Sequence, residues 1–165
     1  SSKLESFIEF GANVGLNLIA VKDLIPGVAA TAVEINSSAI SKLKMIDDVK
    51  VIHGSILESN KIEVYDLAMV IGVLIHIAPK YLPLAYENIY RATRKYILIG
   101  EYYSRQPEEV SYRGYKNKLF KRDFAGEMLD KYTDLRLVDY GFFYHKDESS
   151  KLDDITWFLM EKADI

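Results

Sequence analysis

The stretch S-F-I-E-F-G-A-N-V-G, residues 6–15, decides how the rest of the chain is read. Ser6–Phe10 is a short apolar run of strand type that stops at Gly11, and a helical pattern opens at Leu16, directly after Gly15. Gly11 permits a tight turn, and Gly15 lets the following helix pack close against the strand. Asn13 tolerates left-handed backbone where a third glycine could stand. Strand, glycine-punctuated turn and helix in this order open an α/β unit. Working outward, Leu16, Ile19, Ala20, Val21 and Leu24 share one helical stripe, which Pro26 and Gly27 stop. Residues 30–35 (ATAVEI) read as a second strand. Asn36, Ser37 and Ser38 offer N-cap side chains for a helix carrying Ile40, Leu43 and Ile46. Residues 49–52 (VKVI) and 66–71 (DLAMVI) are the third and fourth strands. Pro79 and Pro83 suit a helix start ahead of Leu82, Ala85, Tyr86, Ile89 and Tyr90, and residues 96–99 (YILI) are the fifth strand.

After residue 100 the pattern changes. Residues 101–121 form a polar, Tyr-rich connection too long for an ordinary turn, a functional-loop candidate. Residues 123–132 read as a helix with Asp123 as N-cap. Residues 135–145 and 155–161 are two strands whose connection is too short for a helical crossover, so they should pair antiparallel. Five β-then-α units and a closing hairpin predict a single α/β domain over residues 1–165. Its sheet has seven strands, mostly parallel with the last antiparallel, and helices on both faces. Ligands of such sheets bind beyond the carboxyl ends of the strands, near the point where strand order reverses.

Composition narrows the chemistry. The 165 residues are 49% hydrophobic and 27% charged, which excludes a disordered or low-complexity chain. With no cysteine, disulfide scaffolds, Cys-ligated zinc, iron–sulfur clusters and Cys nucleophiles are all excluded, and a reducing cytoplasm is the expected location. The net charge of −3 argues against a general nucleic-acid coat. No run approaches the roughly 18 apolar residues of a membrane span. The 12 tyrosines, amphipathic as they are, suit a thick core rim or a polar ligand site.

The strand ends carry the functional signal. Glu34 closes the second strand roughly 20 residues past the glycine turn, where a carboxylate can accept from both hydroxyls of a ribose. The bland reading of these residues is a close strand–helix turn and a surface glutamate. A nicotinamide site prefers G-x-G-x-x-G with pyrophosphate at the helix start. Here the spacing is G-x-N-x-G, with Glu9 two residues ahead of Gly11. A carboxylate there disfavours an anion and tolerates a zwitterionic sulfonium whose amino group Glu9 holds directly or through water. The chemistry leans to S-adenosylmethionine.

The segments E-F-G-A-N-V-G, A-V-E-I-N, H-G-S-I-L and Y-D-L-A-M-V-I-G-V-L-I-H-I resemble the class I S-adenosylmethionine-dependent methyltransferases, a Rossmann-like family. With Y-I-L-I-G-E-Y-Y, Y-R-G-Y-K-N-K-L-F-K-R-D-F and D-D-I-T-W-F-L, the wording is similar to the pseudaminic-acid-biosynthesis-associated methylases over nearly the whole chain. The resemblance implies that Gly11, Asn13 and Gly15 wrap the methionine half of the cofactor, and that Glu34 takes the ribose hydroxyls. Ile35 would pack on one adenine face, Ser55 and Ile56 would line the adenine edge, and Gly72 and Val73 would pass beneath the sulfonium. Many relatives carry Asp where Ser55 stands. The family also has a segment ahead of the first strand that covers one sheet face. Its apparent lack here implies a trimmed form, or an oligomer that covers that face.

Methyl transfer from a sulfonium needs alignment and removal of a proton from a hydroxyl acceptor. No metal site is expected: the His are scattered, and the Asp47-Asp48 and Asp153-Asp154 pairs point apart. His76, just past the fourth strand, is the leading base because an imidazole titrates near neutrality; the alternative is a pocket-shaping His. Glu101, closing the fifth strand, is a second base or substrate-orienting candidate against a solvated strand end. His145 reaches the same rim, although its charged neighbours look like exposed loop; His53 reads as structural. Between Val110 and Arg122 stand Arg113, Lys116, Lys118, Lys121 and Arg122 without an acid, interleaved with Tyr112 and Tyr115. The cluster suits a carboxylate or phosphate, with Arg113 as the bidentate clamp. A solvated loop and an RNA contact are the alternatives. Tyr102 and Tyr103 would stack on, or hydrogen-bond, a sugar-like substrate. The resemblance implies an anionic sugar of nonulosonic type, or its nucleotide conjugate, as the acceptor. The rival functions are a cofactor-binding partner subunit without turnover and a nicotinamide-dependent oxidoreductase.

Overall fold

A computed structural model describes residues 3–58, 63–112, 115–149 and 153–163, with the backbone alone at residues 112 and 115–118. Its elements, in chain order, are β1 (Ser6–Phe10), α1 (Leu16–Leu24), β2 (Ala29–Glu34), α2 (Ser37–Leu43), β3 (Val49–His53) and β4 (Tyr65–Ile71). Two single 3-10 turns, Leu74–His76 and Pro79–Tyr81, then lead into α3 (Leu82–Arg91). β5 (Thr93–Glu101), β6 (Glu108–Tyr112), β7 (Tyr115–Lys121), α4 (Phe124–Lys131), β8 (Leu135–Phe143) and β9 (Ile155–Lys162) complete the chain. The main sheet has seven strands in the order β3-β2-β1-β4-β5-β9-β8. β3 to β5 pair in parallel, and β9 runs antiparallel to both β5 and β8. Strand order reverses between β1 and β4.

β1 reads as an apolar run because it is central: Phe7, Ile8 and Phe10 are each 0% exposed. Each such side chain contributes roughly 1.5–3 kcal/mol of burial. Ile8, Phe10, Ala68, Val70 and Ile97 face the core under α3 and α4, whereas Phe7, Ala30, Ala32 and Met69 face α1 and α2. At the opposite end from the glycine turn, Asp66 accepts from the amides of Glu5 (2.8 Å) and Ser6 (3.0 Å) and pairs with Arg94 (2.7 Å). Burial raises its pKa, but those donors outweigh it and hold the carboxyl below the usual range.

Several expectations hold. Asn36 caps α2 by accepting from Ser38 (2.9 Å) and Ala39 (3.3 Å), Asp123 caps α4 through Gly126 (2.8 Å), and Pro83 sits in the first turn of α3. Others are corrected. The stripe of α1 is turned: Leu18 is its buried residue, while Leu16 and Leu24 are 72% and 81% exposed. α2 stops at Leu43, so Ile46 packs from beyond the helix. Among the described residues no helix follows β3, so the third unit is a strand and a turn. Part of the connection at 101–121 is not a loop, because β6 and β7 pair as an antiparallel hairpin.

Candidate functional site

The turn after β1 takes the conformation its residues permit. Gly11, Asn13 and Gly15 have φ of 72°, 49° and 87°, left-handed backbone in all three. A Cβ on Gly11 would stand 2.3 Å from Val73 Cγ2, so the β1 and β4 turns touch there. A Cβ on Gly15 would meet Ile46 and Leu43; that glycine makes room for the end of α2 and the Ile46 beyond it rather than for its own helix on the strand. Glu34 accepts through Oε2 from the Asn13 amide (2.8 Å), and through Oε1 from those of Ile35 (2.9 Å) and Asn36 (2.8 Å). It therefore ties the glycine turn to the β2 exit. A carboxylate has about four acceptor positions, so roughly one remains for a ligand.

These turns enclose a cleft of about 430 Å³ at the carboxyl ends of the strands. Gly11, Asn13, Glu34, Ile35, Ser55, Ile56, Gly72 and Val73 line it, as does His76. Gly72 (φ 67°) has open space where a Cβ would be. Glu9 does not line the cleft. It is 1% exposed under the turn, on the α1 side; Oε1 accepts from Asn17 Nδ2 (2.7 Å), and Oε2 has no partner. Burial pushes its pKa up to about 7, with Asn17 pulling down and the Glu34 charge adding to the rise.

A smaller cleft of about 180 Å³ adjoins the first, sharing Gly72 and His76, and adds Ile75, Glu101, Tyr102, Leu119 and Ile155. His76 is exposed between the two. Glu101 is 3% exposed and faces the chain after β4: Oε1 accepts from Val73 (2.9 Å) and Leu74 (2.8 Å), and Oε2 from Ile75 (3.5 Å). Burial pushes its pKa up to about 8 against the pull of those amides. The Tyr102 hydroxyl donates to Asp153 (2.7 Å). Tyr103, 42% exposed, bridges to Arg122 and lines neither cleft. Tyr112 and Tyr115 pair across the hairpin end, and Arg113 lies outside the described residues. Lys121 lies over the Tyr102 ring at 5.6 Å, whereas Arg122 is committed to Glu127 (2.7 Å). His145 pairs with Asp154 (2.9 Å), next to Ile155 of the smaller cleft, and itself lines neither cleft.

Sequence reading missed Asn88, a buried polar residue on α3 whose Nδ2 donates to the Ile56 carbonyl (2.8 Å) and so fixes the β3 exit. Its signal was an amide beside the apolar stripe of α3. It also missed Asn17, which holds Glu9, and Gly54 and Ile77 in the cleft wall. Among the described residues there is no group of three or more potential metal ligands, and no helix is long and apolar enough to cross a membrane.

No protein-family model matches the chain, and no curated sequence does. Solved structures do. The 1,6-didemethyltoxoflavin-N1-methyltransferase of Burkholderia thailandensis, bound to 1,6-didemethyltoxoflavin and S-adenosylhomocysteine, superposes with a TM-score of 0.77 at 16% identity, covering 98% of this chain and 72% of that one. An O-methyltransferase of a trans-AT PKS multienzyme from Brevibacillus brevis, with S-adenosylhomocysteine, gives 0.72 at 13%, covering 98% and 67%. Magnesium protoporphyrin IX methyltransferase from Synechocystis, with S-adenosylmethionine, gives 0.70 at 10%, covering 97% and 70%. The chain has the Rossmann-like fold of the class I S-adenosylmethionine-dependent methyltransferases.

Proposed function

We propose that the protein is an S-adenosylmethionine-dependent methyltransferase acting on a hydroxyl of a small anionic acceptor. The observation that carries this reading is the cleft itself, where a left-handed glycine turn, a braced acid at the β2 end and an open glycine after β4 converge. The fit is chemical as well as spatial. Glu34 keeps an acceptor position, which a ribose hydroxyl would fill. Gly11 and Asn13 would hold the methionine half, with Gly15 and the buried Glu9 fixing the turn that carries them. Glu34 would take the ribose, Ile35, Ser55 and Ile56 the adenine, and Gly72 and Val73 the sulfur. The cofactor supplies an electrophilic methyl on a sulfonium. His76, shared by the two clefts, would take the acceptor's proton, while Leu119 and the hairpin exclude water from the smaller cleft.

The finer reading, an acidic sugar of nonulosonic type or its nucleotide conjugate, is supported by the basic, Tyr-rich hairpin sequence and by Lys121 beside Tyr102. The apolar side chains Ile75, Leu119 and Ile155 would then hold the non-ionic face of the ring. Self-association is supported by the apolar side chains left exposed on α1, Leu16, Ile19 and Leu24. Calorimetry with S-adenosylhomocysteine, and with NAD as control, tests the cofactor. Saturable binding of the former alone is expected, and preference for NAD overturns the reading. Incubation with methyl-labelled cofactor and a panel of acidic sugars and their nucleotides tests the acceptor. Label in none of them sinks the sugar assignment.

A further inference from the structure

The carboxylate that closes β5 is spent on the chain's own backbone. Glu101 reaches across to β4 and receives three consecutive amides, Val73, Leu74 and Ile75, from the 3-10 turn that ends at His76. Successive amides turned to one point make a small anion-binding concavity, and here a side chain already fills it. Both neighbours of that concavity matter. Val73 lies against the absent Cβ of Gly11, so its placement sets how the β1 and β4 turns meet in the larger cleft. His76 is, with Gly72, one of two residues the clefts share, and its amide donates to the Val73 carbonyl at 3.0 Å. Building on the methyltransferase reading, we infer that Glu101 is a positioning residue, not the base: its carboxylate locks the Val73–His76 turn and so presents His76 to the acceptor cleft and Val73 to the cofactor cleft.

The geometry separates the two roles. The short contacts are both to Oε1, and only the 3.5 Å contact uses Oε2. A glutamine keeps one carbonyl oxygen for Val73 and Leu74 and loses only the long contact. A group acting as a proton acceptor would lose its function altogether in the same variant.

The experiment uses the whole chain, S-adenosylhomocysteine as the probe, and NMR of the Val73–Ile75 amides and the His76 ring in Glu101→Gln, Glu101→Asp and Glu101→Ala. Glu101→Gln is expected to bind the probe within about threefold of the parent and to keep the Val73 and Leu74 amide shifts. Glu101→Ala is expected to weaken binding about tenfold or more and to move the His76 ring signals, since three amides of the turn lose their acceptor. Should the alanine variant not fold, Glu101→Asp, a methylene too short to hold the turn, is expected to show the same changes in smaller measure. A folded Glu101→Ala or Glu101→Asp variant whose His76 ring and turn amides match the parent overturns the proposal. So does a Glu101→Gln variant as perturbed as Glu101→Ala. A parent chain that does not bind the probe refutes the cofactor reading instead, and the NMR comparison still decides the role of Glu101.

Discussion

The two adjoining clefts are built by different means. The larger is shaped by backbone: left-handed residues at Gly11, Asn13 and Gly72, and one carboxylate clasping three amides within residues 13–36. The smaller is assembled from side chains brought together over long sequence separations: Ile75 after β4, Tyr102 after β5, Leu119 on the hairpin and Ile155 on β9. A site of the first kind is specified locally and tolerates few substitutions. A site of the second kind can change its occupant by exchanging side chains while the sheet stays intact.

The contrast can be broken at its strongest point first. Gly11→Ala combines a left-handed residue with a Cβ 2.3 Å from Val73, and is expected to cost about 2–5 kcal/mol of folding stability by urea unfolding. An unchanged midpoint would mean the β1 turn is not fixed by its backbone. Next in size is the pH dependence. Glu9 and Glu101 bind protons more tightly folded than unfolded, so their stabilisation is complete below about 4.5 and is lost as pH rises through about 7 and about 8. Thermal melts between pH 9 and pH 5.5 should therefore show stability rising towards acid. Glu9→Gln should remove the lower step and leave the upper one, sharpening the distinction between the two ends. A flat profile contradicts the burial of both.

Glu34→Ala should weaken S-adenosylhomocysteine by about 1–3 kcal/mol in calorimetry, partly because three amides lose their acceptor. Affinity equal to the parent's, with the fold intact, would remove Glu34 from the larger cleft. The smallest effect is expected at His145, held by Asp154 outside both clefts: His145→Ala should leave probe affinity within about 0.5 kcal/mol. A larger loss would bring the β8 rim into the site.

The same contrast explains what the sequence could reveal. Glycine, asparagine and a strand-ending acid are local punctuation, so the turn at residues 11–15, Glu34 and the strand–helix alternation are legible without a structure. The inward face of α1 is not, because burial of Leu18 over Leu16 depends on where α2 and the sheet stand. Glu101 reads as a base candidate or a solvated strand end because its partners lie some 26–28 positions earlier. The hairpin did leave a trace. Two residues, Arg113 and Gly114, separate the paired Tyr112 and Tyr115, a spacing typical of tight hairpin loops. The polar composition on either side hid the strands.

The hairpin leaves and rejoins the body at one place, since Tyr103 bridges Arg122 and the Ser104 amide donates to the Arg122 carbonyl (3.4 Å). A segment with coincident ends behaves as a cassette: it can be lengthened, shortened or transplanted without changing the path of β5 or α4. Any replacement would have to keep an apolar anchor where Leu119 and Phe120 are buried. A library built between those two joints would vary the lining of the smaller cleft while leaving that of the larger untouched.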